Sequence, residues 1–321
     1  MKISVLIPAF NASKTIDAAI KSVLRQKFQP YEVLVMDDGS TDDTFERLQA
    51  HGGSIKVYRQ SNQGAACARN ALCRHATGDF IAFLDGDDVW NSSYLQVHHD
   101  LLMSNESAIA SFTAFVDSMQ FNEELWDAPG WADGALIEVL QPTDFFEQYN
   151  SYPNRFIPST CCVSRKVVCE MEPEPFPREF RGAEDFWFMN MLPLCGRPVM
   201  YSKAKLVMYR LSAGSLSADR IRIMKHTVAL CERIALRYRS EATPELLRAS
   251  SKQFPSLRRN LSKYLMGAGK VAEARSQIVE SIRETVSLTS RIKSLGLMMI
   301  SYCPAALQPR WPASQPHEGM K

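Results

Sequence analysis

Apolar and polar positions follow two rhythms along this chain, and the change of rhythm marks the elements. Over the first ninety or so residues, compact and mainly apolar runs at Ile3–Phe10, Glu32–Met36, Ile55–Arg59 and Phe80–Leu84 alternate with stretches of helical spacing. Ile16, Ala19, Ile20, Val23 and Leu24 recur at three- and four-residue steps, which predicts a helix with Asn11 or Ser13 as its N-cap. A second helix is predicted from Thr41 to Ala50 and a third from Ala65 to Ala76. Strands separated by helices predict βαβ units with right-handed crossovers, hence a mostly parallel sheet in a Rossmann-like α/β fold.

Residues 107–219 are less regular. Strands are expected near Ala108–Val116 and Ser159–Ser164, with helices near Thr143–Tyr149 and Glu184–Leu194, as an extension of the same sheet. From Asp219 onward strand signals fade. Ile221, Met224, Val228, Cys231, Ala235 and Tyr238 form one helical stripe, and Thr243-Pro244-Glu245 supplies an N-cap, a first-turn Pro and an early acid. A helical hairpin around Gly267-Ala268-Gly269 resembles half a tetratricopeptide unit, and one such unit makes no solenoid. The expected division is 1–218 for the α/β domain and 219–321 for a helical extension.

Charge sharpens that division. Lys plus Arg against Asp plus Glu is 10 to 13 over residues 1–106, 9 to 15 over 107–219 and 18 to 7 over 220–321, so the last third carries +11 within a chain of net +2. Such a segment favours an anionic partner or a solvated helical surface. It contains no recognisable base-reading module, so nucleic acid is not an expected partner. The eight Cys show no CxxC pairing, and reduced thiols in a cytosolic setting are expected. The first apolar run, broken by Pro8, lacks the length and cleavage site of a secretory signal. The late run Leu295–Leu307 contains Pro304 and is too short to span a bilayer.

In parallel α/β sheets ligands gather at the carboxyl ends of strands. Asp85-Gly86-Asp87-Asp88 follows one predicted strand, and its hard oxygen donors suit Mg²⁺ or Mn²⁺, although the same residues also make an ordinary turn. Asp37-Asp38-Gly39-Ser40 follows another. Two carboxylates there would repel unless a cation or a donor such as a nucleobase N–H faced them, and a turn capping the next helix is the alternative. The helix opened by Gln63-Gly64 carries Arg69 and Asn70 in its first two turns, where a guanidinium can bind phosphate or brace a carboxylate.

Taken together, Val5-Leu6-Ile7-Pro8-Ala9-Phe10-Asn11, Val35-Met36-Asp37-Asp38-Gly39-Ser40-Thr41-Asp42, Asn62-Gln63-Gly64 with Ala68-Arg69-Asn70, Gly78-Asp79 and Phe83-Leu84-Asp85-Gly86-Asp87-Asp88 resemble family 2 glycosyltransferases of the GT-A fold, in order and spacing. The resemblance covers residues 1–90 and weakens toward 218. It implies an inverting, metal-dependent transfer from a nucleoside diphosphate sugar, a UDP-sugar above all, to a saccharide or lipid-linked saccharide. Pro8, Ala9, Asp37 and Arg69 would hold the base, Asp85 would lie near ribose and metal, and Asp87 would bind the cation. Phe10, Asn11, Asp38, Gly39, Gln63, Gly64, Asn70 and Gly86 complete the expected donor site. In Gly182-Ala183-Glu184-Asp185-Phe186-Trp187, the resemblance implies Asp185 as general base with Glu184 as the second candidate, while both acids also suit a helix N-terminus. Many relatives have His where Ser212 stands, so Arg210, Ser215 or water would have to replace it at the metal or diphosphate. Acceptor contacts are expected from irregular segments at 126–134 and 150–156.

The competing functions are a nucleotidyltransferase and a non-catalytic nucleotide-sugar-binding scaffold. The first calls for a Gly-rich basic loop after the first strand, and Ala9-Phe10-Asn11-Ala12-Ser13-Lys14 has no Gly. The second is disfavoured by the joint presence of Asp85, Asp87 and Asp185. The expected location is cytoplasmic. The basic last third and the run Leu295–Leu307, flanked by Arg291, Lys293 and Arg310, allow peripheral attachment to an anionic membrane face, or else packing of Leu297, Met298 and Ile300 against the catalytic domain.

Overall fold

The computed structural model describes residues 1–118, 135–151, 156–210, 219–285 and 288–302. The chain divides into two compact units, Met1–Glu179 with Met191–Ser212, and Phe180–Asn190 with Ala213–Lys321. The chain therefore enters the second unit first at Phe180, well before the helices that make up most of it.

The first unit is built on a nine-stranded sheet among the described residues: β1 (Ile3–Ala9), β2 (Glu32–Asp37), β3 (Lys56–Arg59), β4 (Phe80–Phe83), β5 (Val89–Trp90), β6 (Ala110–Ser118), β7 (Ile137–Leu140), β8 (Cys161–Ser164) and β9 (Val199–Arg210). Their order is β3-β2-β1-β4-β8-β6-β9-β5, with β7 also paired to β9. β3, β2, β1 and β4 run parallel, as the alternation of strands and helices predicts. Beyond β4 the sheet is mixed: β8 is antiparallel to both β4 and β6, whereas β6 and β9 pair in parallel. Every residue of β1 and β2 is buried, consistent with strands covered on both faces. Ile3, Val5, Ile7, Val33 and Val35 enter the same core as Ile16, Ile20 and Val23 of α1 (Ile16–Leu24), each branched side chain contributing roughly 1.5–3 kcal/mol by burial.

The remaining helices of this unit are α2 (Thr44–Ala50), α3 (Ala65–His75), α4 (Tyr94–Ser104), α5 (Pro142–Tyr149) and α6 (Arg165–Glu170). Two of the expected helix starts are displaced. α1 has Thr15, not Asn11 or Ser13, at its N-cap position, because Asn11 adopts a left-handed conformation (φ 47°) and uses Oδ1 to accept from the Thr41 N–H at 2.9 Å. That bond also removes Thr41 from α2, which begins three residues later, at Thr44.

In the second unit lie α7 (Glu184–Met191), α8 (Arg220–Glu241), α9 (Pro244–Gly267), α10 (Val271–Glu284) and α11 (Leu288–Ser301). The expected helix to Leu194 gives way after Met191 to a 3₁₀ turn at Leu192–Cys195, since Pro193 has no N–H to continue an α-helix. The Thr243 cap forms as the sequence predicts, its side chain accepting from the Leu246 N–H at 3.3 Å. Val228, Leu261, Leu265, Ala274, Ile278 and Leu297 make the core of these helices. Beside it Arg258, 5% exposed, is neutralised by Glu232 at 2.5 Å and Glu284 at 2.8 Å.

Glu32 locks the sheet edge to the turn before β4. Its Oε1 accepts from Ser4 Oγ, Thr77 N and Thr77 Oγ1, each at 2.8 Å, and Lys56 Nζ lies 3.0 Å from Oε2. Burial would raise its pKa, yet these donors outweigh burial and hold it at about 2, below the usual 4.5. A carboxyl depressed in the folded state stabilises fully above its unfolded pKa, and that stability is lost as pH falls from 4.5 toward 2. Glu32→Gln is therefore expected to cost about 1–3 kcal/mol at pH 7 and to flatten the loss of stability below pH 4.5, measured by urea unfolding across pH. An unchanged acid limb would show that the four donors do not act on a charged Glu32.

Candidate active site

Strand register brings the loops of the candidate site together. Ala9 pairs with Asp37, and Asp37 with Arg59, so the ends of β1, β2 and β3 stand at one level. The ladder continues one step, with Asp38 N–H donating to Ala9 O at 2.8 Å. Asn11 N–H then donates to Ser40 Oγ at 3.0 Å and Ala12 N–H to Thr44 Oγ1 at 2.8 Å, which ties the loop after β1 to the loop after β2. At Gly39 (φ 72°) a Cβ would lie 2.7 Å from Asn62 N, so only glycine lets the loops after β2 and β3 touch. A Cβ at Gly86 would meet Pro8 O at 3.2 Å, which similarly seats the loop after β4 against the end of β1.

The repulsion expected between Asp37 and Asp38 is relieved within the chain. Asp37 is fully buried, accepts from Ser40 N at 3.1 Å and faces Arg59 Nε at 3.0 Å. Arg59 in turn stacks its guanidinium over Phe45. Asp38 accepts from Gln60 Nε2 at 2.7 Å, Gln63 N at 2.9 Å and Gly64 N at 2.7 Å, so its carboxylate shapes the loop that opens α3. Asn70 is similarly committed: Oδ1 accepts from Phe176 N at 3.1 Å while Nδ2 donates to Phe176 O at 2.7 Å and to Glu174. Asp38 and Asn70 thus hold backbone, whereas Phe10 and Asn11 stand exposed at the strand ends, with Phe10 47% accessible.

Arg69 emerges from the first turns of α3 and lies 2.6 Å from Asp85 Oδ1, bracing a carboxylate, one of the two roles its position allows. Around Asp85 the chain crowds three acids. Asp87 is half-buried, and its carboxyl is pushed up to about 6 by burial and then by the charge of Asp85. Asp88 is fully buried and raised well above the normal range by burial, Asp85 and Asp87. Asp88 accepts from Ser159 Oγ at 2.6 Å and from Arg210 N at 3.2 Å; Ser159 Oγ also receives the Asp85 N–H at 3.1 Å, and Arg210 Nε donates to Asp87 O. Ser159, in the 3₁₀ turn Pro158–Thr160 just before β8, and Arg210 of β9 therefore fix the acidic loop.

Arg59 and Ser159 were not marked by the sequence motifs. The equivalent end positions of β2 and β3 could have revealed Arg59; nothing local to Ser159 signals a contact 74 residues away. Among the described residues no cluster of three or more His, Cys, Asp or Glu side chains is arranged around a metal position. The donor set that remains, Asp87 with Asp85, matches a hard cation that takes one or two carboxylates and completes its shell with phosphate and water.

Within the second unit, Glu184 and Asp185 open α7. Glu184 is buried and its Oε2 accepts from Gly182 N at 2.6 Å, while half-buried Asp185 accepts at Oδ1 from the Phe186 N–H at 2.8 Å. Ser212, Ser215 and the expected acceptor segment 126–134 lie outside the described residues, as does most of 150–156.

Comparison with known proteins agrees with this architecture. The Escherichia coli protein WfgD, a UDP-Glc:alpha-D-GlcNAc-diphosphoundecaprenol beta-1,3-glucosyltransferase, is 41% identical over 105 residues, covering 32% of this chain and 42% of that one. The curated relatives it matches first are each spanned to less than half of their own length. A crystal structure of S. aureus TarS 1–349 with UDP-GlcNAc superimposes with TM-score 0.71 at 17% identity, over 94% of this chain and 90% of that one. The mannosyltransferase PcManGT of Pyrobaculum calidifontis, solved with GDP-Man and Mn²⁺, superimposes with TM-score 0.57 at 17% identity over 95% and 87%. These neighbours share the GT-A fold, with its sheet and its helical part. Residues 4–170, just over half of the chain, match the family described as Glycosyl transferase family 2, and the chain belongs to that family.

Proposed function

We propose that the chain is an inverting glycosyltransferase moving a sugar from a UDP-sugar to a hydroxyl of a lipid-linked saccharide, on the cytoplasmic side of a membrane, with residues 1–218 catalytic and 219–321 an extension. The observation that carries this reading is the acidic loop after β4, where Arg69 holds Asp85 at 2.6 Å and leaves Asp87 beside it, half-buried and electrostatically strained. The names of relatives support the substrate classes: WfgD acts on a diphosphoundecaprenol-linked sugar, and the TarS structure holds UDP-GlcNAc.

In this reading Pro8, Ala9, Phe10 and Asn11 border the uracil together with Asp37, whose buried carboxylate is oriented by Arg59. Gln63 and Gly64 border the donor at the start of α3, Gly39 and Gly86 seat the donor-site loops against each other, and Asp38 and Asn70 position the walls. Asp87, with Asp85 as second ligand, would hold Mg²⁺ or Mn²⁺, which when bound neutralises the charge developing on the departing diphosphate. Arg69, 2.6 Å from its Oδ1, keeps Asp85 aimed. Asp185 takes the proton from the attacking acceptor hydroxyl; Glu184, buried and spent on the Gly182 N–H, shapes the turn that presents it.

Three measurements test this. A screen of UDP-, GDP- and other nucleotide-sugars for hydrolysis and for transfer to lipid-linked acceptors should single out a UDP-sugar; turnover of none of them would reject the enzyme reading. Asp87→Asn is expected to abolish transfer and to weaken Mn²⁺-dependent UDP binding at least tenfold by calorimetry, while the melting temperature holds or rises because a repelled carboxylate is gone. Undiminished Mn²⁺-dependent affinity would remove Asp87 from the metal site. Asp185→Asn should lower kcat by about 10²–10⁴ with donor affinity intact, whereas Glu184→Gln should act chiefly on stability. The reverse ranking at saturating substrates would transfer the base role to Glu184.

A further inference from the structure

α11 has two faces of different character. Leu297 is buried in the helical core with Met298 packed against it, and Ser294 and Ser301 are buried on the same side. On the opposite side Ile292, Leu295, Met299 and Tyr302 follow one another at three- and four-residue steps, with exposures of 60, 51, 74 and 68%. The inward face packs in the helical core of the second unit, not against the catalytic domain as the packing alternative had it, and the opposite face is left exposed.

The charges on α11 itself are of one sign. Arg291 and Lys293 flank it near its start and are exposed; the Arg275 guanidinium lies 3.7 Å from the centre of the Tyr302 ring and donates to Ser301 O at 2.8 Å, which fixes a cation at its far end. Residues 285–317 contain no Asp or Glu, and 220–321 carry +11. A protein partner with an apolar patch would complement the stripe alone. An anionic bilayer complements stripe and cations together, taking the apolar side chains into its headgroup boundary while Lys and Arg meet lipid phosphates. Among the described residues no helix is long and apolar enough to span a bilayer.

We propose that the Ile292–Leu295–Met299–Tyr302 face of α11 is a docking surface for an anionic membrane, on which the helix lies parallel to the lipid plane. The inference deepens the proposed lipid-linked acceptor, for which it supplies a way to work at the bilayer, but its test does not depend on that activity. Full-length protein is mixed with vesicles of phosphatidylcholine alone or with phosphatidylglycerol, and the pelleted fraction is measured at low and high salt. Binding is expected to require phosphatidylglycerol, to weaken at least tenfold from low salt to several hundred millimolar, and to fall at least tenfold in Ile292→Glu/Leu295→Glu and severalfold in Arg291→Gln/Lys293→Gln. UDP binding should stay unchanged in all variants, which separates a failure of docking from a failure of the proposed activity. Parent protein left in the supernatant at low salt would overturn the proposal, as would undiminished binding of Ile292→Glu/Leu295→Glu. Dissociation of a dimer by that double variant, in sedimentation, with no vesicle binding by the parent, would instead assign the face to a second copy.

Discussion

Crowding of negative charge at the end of one buried strand is the constraint on which this structure turns. Asp85, Asp87 and Asp88 follow β4 within five residues, the first two half-buried and Asp88 fully buried. Two unit charges 4 Å apart interact by about 4 kcal/mol at the effective dielectric of a protein surface, so such a loop cannot be left to itself. The chain answers with three fixed contacts from elsewhere: Arg69 on Asp85, and Ser159 and the Arg210 backbone on Asp88. Asp87, and the more deeply buried Asp88, stay strained, with burial and the neighbouring acids working against their charge. In the proposed function a cation at Asp87 would offset part of that strain.

The first four strands were legible because their physics is local. Apolar runs, helical periodicity and polar strand ends gave β1 to β4 and α1 to α3 nearly residue for residue. The second half of the sheet depends on pairing between distant segments, and there the sequence carries less. β5 is two residues long, β7 is an edge strand exposing Ile137 and Val139, and β9 is buried along most of its length without a clean alternation. The displaced starts of α1 and α2 have one cause, the Asn11 side chain reaching Thr41, a contact between two loops that no single segment announces.

The candidate site divides along the same line. Residue types and order marked Asp37, Arg69, Asp85 and Asp87, and the structure brings their loops to one sheet edge. What the motifs did not distinguish is a side chain that meets ligand from one that holds the wall. Asp38 and Asn70 read as site residues because they sit in the motifs, and in the structure each also bonds neighbouring backbone and one side chain, Gln60 and Glu174 respectively. Arg59 and Ser159, outside the motifs, do as much to set the geometry. The apolar run near the C-terminus read as ambiguous between packing and a surface because one helix has a buried face, with Leu297, and an exposed one, with Ile292.

The central claim is that the loop after β4 receives a divalent cation together with the donor diphosphate. Anomalous diffraction at the manganese edge, from crystals grown with UDP and Mn²⁺, tests it most directly. The account expects one anomalous peak at roughly 2.1–2.3 Å from an Asp87 carboxylate oxygen and in contact with the UDP phosphates, with Asp85 still on Arg69. UDP seated at the sheet edge with no manganese at Asp87, or with manganese bound elsewhere, would contradict it.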